Sequence, residues 1–177
     1  EMLVSSVYID GGGTLWFGQE AVEISEDESQ DGTRQRLDNI KRWISEDEIG
    51  VEVEEAFNPT SIKVTYGDMV LAYLMFMTWC VNSALEDSGY RRKTLRRFAI
   101  PCFEGERARA MPDRLAVMLG EAQVLADTFF QVLPEGLPLS EFMRAVAELR
   151  SEQREYNFVA ENITEPLGVA GSIISWE

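Results

Sequence analysis

The chain has no histidine among its 177 residues. Without that side chain, a Ser-His-Asp triad and a zinc site with histidine ligands are both excluded. Cysteine is scarce as well. Cys80 and Cys102 sit in apolar surroundings without metal-ligand spacing, and they read as reduced core residues of a cytoplasmic protein. Basic residues are few: 16 Lys and Arg stand against 31 Asp and Glu, a formal net charge of −15. A broad basic surface is therefore missing, which excludes nucleic acid and anionic lipid as expected partners. Long apolar runs are also lacking. The most apolar stretch, "MVLAYLMFMTWCV" at 69–81, falls short of the roughly 18 to 20 residues that a spanning helix needs, so no membrane span is expected. No signal-peptide pattern is read ahead of it. The chain opens on Glu1 rather than Met, as expected of a segment taken from a longer protein.

What is present suits one domain, or a large part of one: 45% of the residues are apolar, enough for a core. The segment "SSVYIDGGGTLWFGQEA" suits two strands, with Val7 and Ile9 on one and Leu15 and Phe17 on the other, joined at Asp10 to Gly13. An acidic passage follows and reads as solvated surface. Leu37, Ile40 and Ile44 then give helical spacing, with Trp43 beside them. A second acidic passage carries a short strand around Val51 and Val53. The apolar run reads as a helix covered on several sides, with Asp68 as N-cap and Gly89 after its end.

Further on, Leu95 to Ile100 reads as a strand that Pro101 ends for want of an N–H. A helix carries Glu106, Arg107 and Leu115, and Pro112 is expected to kink or restart it. Ser140 is the N-cap candidate of an amphipathic helix from Leu139 to Tyr156, with Phe142, Val146 and Leu149 on its apolar stripe. Phe158 to Glu161 reads as a strand. It leads to "ENITEPLGVAGSI", where Pro166 holds Glu165 out of the helical region just ahead of a helix start. Small residues follow, which allow a helix or a ligand to approach closely. By itself this stretch also suits a plain helix start with an exposed Glu165.

Four of these segments occur in the order found in the nucleotide-binding domain of the heat-shock protein 70 (DnaK-type) family. "SSVYIDGGGTLWFGQEA" resembles the family's strand, turn, strand and Val-Gly-x-x-Ala segment. "NIKRWIS" resembles its Lys-Arg-Leu-Ile-Gly helix, and "FAIPCFEGERARA" its Val-Pro-x-x-Phe-x-x-x-x-Arg segment. "ITEPLGVAGSI" resembles its Asn-Glu-Pro-x-x-Ala-Ala segment.

The resemblance implies an α/β fold: a partial actin-like ATPase domain, the N-terminal lobe, comprising the outer subdomain and part of the inner one. Residues 1–177 would form a single domain fragment, with 124–157 a helical insertion relative to the family. It implies that Lys41 reaches the transferred phosphate, that Glu165 lies near the attacking water, and that Pro101 and Arg107 relay nucleotide state to a substrate-binding domain. The segment before Arg107 is one residue shorter than in the family, so Arg109 is the other candidate. The longer protein would bind ATP or ADP with magnesium and meet client proteins or co-chaperones. Both family phosphate loops would fall outside this chain, which is therefore expected to bind no nucleotide tightly and to hydrolyse none by itself. "IDGGGT" lacks one residue of the second loop and is read as the hairpin turn. A degenerate lobe serving as a protein-interaction scaffold is the alternative.

Overall fold

A computed structural model describes residues 3–28, 35–45, 48–90, 96–99, 107–151 and 173–176; for Lys41, Ser45, 96–99, 107–109 and 173–176 it describes the backbone only. Strand β1 (Val7–Ile9) pairs antiparallel with β2 (Thr14–Phe17), and Tyr8 lies opposite Trp16. The expected hairpin is thus present. All three β1 residues are buried, so this strand is covered on both faces.

Helix α1 (Gly18–Glu28) follows directly, where sequence pattern gave only an acidic, solvated passage. Its inward face is Gly18, Ala21 and Ser25, residues too small to register as an apolar stripe. Helix α2 (Ile40–Ser45) comes next and packs on α3 (Tyr66–Asp87). The N-cap of α3 is Thr65, not Asp68. Asp68 is instead the third helical residue, and its carboxylate accepts from the Thr65 N–H while the Thr65 hydroxyl accepts from the Asp68 N–H. The strand expected around Val51 and Val53 is reduced to a single bridge between Glu52 and Thr65.

By length and composition α3 is long enough and apolar enough to cross a membrane. Here Met69, Val70, Leu71, Ala72 and Met75 are all inside the core. Its main neighbour is α4 (Arg107–Thr128), reached through β3 (Arg96–Ala99). Asp68 lies level with Glu121 through a shared arginine, and Trp79 lies level with Phe130, just beyond α4, so α3 and α4 run parallel. Of the kink or restart expected at Pro112, the restart does not occur: α4 passes through it as one helix. Proline forfeits one backbone bond there. Met111, Leu115, Leu119 and Ala122, all buried in the core, hold the helix on both sides of that gap.

A 3-10 turn (Leu133–Glu135) leads into β4 (Leu137–Pro138), a third strand on the outer edge of β2 that sequence pattern did not reveal. Pro138 is tolerated because it lies on the edge strand. Helix α5 (Leu139–Ser151) begins before Ser140, which therefore lies inside its first turn. Its stripe of Phe142, Val146 and Leu149 is buried as expected, within the same core as β1, α3 and α4. The β4–α5 element is thus built into the fold. The last strand, β5 (Ile173–Trp176), pairs antiparallel with β3, with Phe98 opposite Ile174. The helix start expected after Pro166 lies outside the described residues.

Candidate functional site

Lys41 stands on α2. The inward face of that helix is made by Ile40 and Ile44, one turn apart, and Trp43 stacks on Tyr66 with ring centroids 3.8 Å apart. Arg42 is exposed, its guanidinium carbon 5.6 Å over the Trp43 ring. Asn39, immediately before the helix, is in the left-handed region (φ 56°), and its carbonyl accepts from the Arg42 N–H at 2.7 Å. Asparagine tolerates this conformation better than most residues. The backbone that carries Lys41 is therefore fixed by packing and by its entry turn. Arg107 is the first residue of α4 and Arg109 lies two places on; α2 and α4 both pack on α3. Pro101 and Glu165 lie outside the described residues.

The glycine turn "IDGGGT" has its backbone donors turned inward. The Gly12 and Thr14 N–H groups donate to Asp10 Oδ1 at 2.9 and 2.8 Å, and the Gly13 N–H donates to the Asp10 carbonyl at 3.0 Å. Trp16 Nε1 donates to Asp10 Oδ2 at 2.8 Å. A phosphate cradle presents its N–H groups to the ligand. Here the Asp10 carboxylate occupies that role, and the turn is structural. Among the described residues no group of three or more His, Cys, Asp or Glu is placed to hold a metal ion.

Two clefts remain. The first, about 560 Å³, lies between the start of α3, the middle of α4 and the end of α5. Arg150 dominates it. Its guanidinium donates to both oxygens of Glu121 and reaches Asp68 Oδ1 at 3.4 Å, and both carboxylate side chains are about nine-tenths buried. The hydrogen bonds to Glu121 raise the Arg150 pKa above its ordinary value against the opposing effect of burial. With their oxygens engaged in this way, the two carboxylates tie three helices together rather than await a ligand.

The second cleft, about 490 Å³, is apolar. It runs between β2, the start of α1, the middle of α3 and the 3-10 turn. Phe17 stacks on Phe76 at 5.2 Å, and Phe76 on Trp79 at 6.3 Å. Neither cleft was anticipated from sequence, because each is built from segments far apart in the chain.

No protein-family model, curated protein or solved structure matches this chain.

Proposed function

We propose that this chain is one lobe of an actin-like ATPase of the heat-shock protein 70 type, contributing one wall of the ATP site and the relay between lobes. The reading is supported above all by element order: a hairpin, α1, the Lys41 helix α2, the long helix α3, then β3 and a helix that begins at Arg107. The resemblance in the sequence carries the hairpin, the Lys41 helix and the segment that runs to Arg107 in that order. On this reading Lys41 supplies a point positive charge to the transferred phosphate, Glu165 lies near the attacking water, and Pro101 with Arg107 or Arg109 carries the relay. ATP with magnesium would supply the phosphoryl group whose hydrolysis switches lobe arrangement. The phosphate and metal cradle would come from residues other than those described. Client proteins or co-chaperones would be met in the cytoplasm through the longer protein.

A degenerate lobe that serves as a protein-interaction scaffold is the second reading, favoured by Pro112 within α4 and by the added β4–α5 element. Titration with Mg-ATP tests the first reading. This chain should bind weakly and turn over nothing, whereas the longer natural protein should bind tightly and hydrolyse. Absence of hydrolysis by the longer protein would leave the scaffold reading. Submicromolar binding with turnover by the chain alone would overturn the lobe assignment.

A further inference from the structure

The apolar groove stands apart from any nucleotide chemistry. Six large apolar side chains are exposed among the described residues, and two of them, Leu3 and Val4, line the groove beside the Phe76 and Trp79 rings. Concentration of exposed apolar surface at a concave site marks interaction rather than chance exposure. The walls are also kept open by glycine. Gly18 (φ 60°) faces the Phe76 ring 3.2 Å from where a Cβ would lie, and Gly136 (φ 85°) faces the Trp16 ring at 2.9 Å. Side chains at those two positions would crowd the rings.

The polar edges of the groove are already engaged. Trp79 Nε1 donates to the Phe130 carbonyl at 2.9 Å and Trp16 Nε1 to Asp10 at 2.8 Å, so both indoles offer the groove their faces and no free donor. Apolar anchors suit it better than a polar small molecule. Its volume of about 490 Å³ falls within the range of about 300–1,000 Å³ typical of binding clefts.

Charge selects the partner. Glu20 lines the groove, and α1 behind it presents Glu20, Glu23, Glu26, Asp27 and Glu28, all exposed, with no basic residue in the helix. The chain as a whole carries −15, so a second copy or an anionic bilayer would be repelled. A cationic segment would be attracted. We propose that this groove is a docking site for a basic amphipathic helix of a partner protein. Its apolar side chains would seat against Trp16, Phe76 and Trp79, and its Lys and Arg residues would face α1.

The test uses a short synthetic amphipathic helix of leucine and lysine, titrated into isotope-labelled protein and followed by amide and indole resonances. Saturable shifts are expected at Trp16, Trp79, Gly18 and Gly136. The same peptide with glutamate in place of lysine should not bind. Replacing the exposed rim, Leu3→Ser with Val4→Ser, should weaken binding about fivefold. Reversing the wall, Glu20→Lys with Glu23→Lys, should weaken it at least as much. Unchanged thermal midpoints in both variants would show that folding is intact, and should one variant prove unstable the other carries the test. Absence of binding, shifts spread over the acidic surface without saturation, equal binding of the glutamate peptide, or indifference to the rim and wall variants would each overturn the proposal. Concentration-dependent shifts at the groove without peptide would assign it to a second copy instead.

Discussion

Arg150 near the end of α5 grips Glu121 in the middle of α4 through two parallel hydrogen bonds, Nε to Oε1 at 2.8 Å and Nη2 to Oε2 at 3.1 Å. Its third arm reaches Asp68, whose other oxygen is engaged in the capping box of α3. One guanidinium therefore fixes the start of α3, the middle of α4 and the end of α5 relative to one another. Two-point contact of this kind is the geometry that lysine does not reproduce.

Arg150→Met should lower stability by about 2 kcal/mol in urea unfolding, because two largely buried carboxylates lose their partner while the half-exposed guanidinium keeps the loss below that of a fully buried pair. Adding Glu121→Gln should recover part of that loss. A double variant no more stable than Arg150→Met would show that Glu121 is not the group left stranded.

Arg150 also shows what sequence could and could not reveal. It falls eight residues after Phe142 and four after Val146, on the same stripe as those buried residues, so a charge on an apolar face was legible. Its partners were not, since Asp68 and Glu121 come from distant elements and only the tertiary fold brings them together. The hairpin was legible because Val7, Ile9, Leu15 and Phe17 alternate around a glycine turn, and α5 because Phe142, Val146 and Leu149 repeat at helical spacing. Helix α1 hid behind Gly18, Ala21 and Ser25, whose small side chains pack without an apolar signal. Strand β4 is two residues long and one of them is proline, below any pattern threshold. Of the candidate site, the Lys41 helix was legible from Ile40 and Ile44, whereas both clefts were not.

Asp10 organises the hairpin turn by accepting from two backbone N–H groups and one indole. Asp10→Ala should destabilise the protein by about 1–2 kcal/mol. Nucleotide affinity of the longer protein should not change. Loss of ATP binding at unchanged stability would restore the glycine turn as a phosphate site.

Burial pushes the Cys80 thiol up to about 11, with a smaller opposing effect from a backbone hydrogen bond. Thiolate is the reactive form, so Cys80 in a Cys102→Ser background should modify slowly at neutral pH and speed up only as the pH approaches that value. Rapid modification near pH 7 would contradict this environment.

Asp38 is pushed upward by burial, but hydrogen bonds from Arg36 Nε and Ser6 Oγ, each 2.7 Å long, outweigh that effect and hold its carboxyl below the usual value. A carboxylate with a lowered folded pKa adds stability that is present above the unfolded value near about 4 and is lost as the pH falls through the folded one. Asp38→Asn should therefore reduce stability near neutral pH and flatten its fall in acid. An unchanged acid limb in chemical unfolding at several pH values would show that this cluster does not contribute.

The most direct test of the ATPase-lobe reading is single-turnover hydrolysis of Mg-ATP by the longer natural protein, compared with its Lys41→Ala variant. A cation that acts on the transferred phosphate matters more in the transition state than in the ground state. The rate should fall by about a hundredfold or more while nucleotide affinity changes only a few-fold. Hydrolysis at an unchanged rate, or equal losses in rate and affinity, would contradict the role assigned to Lys41.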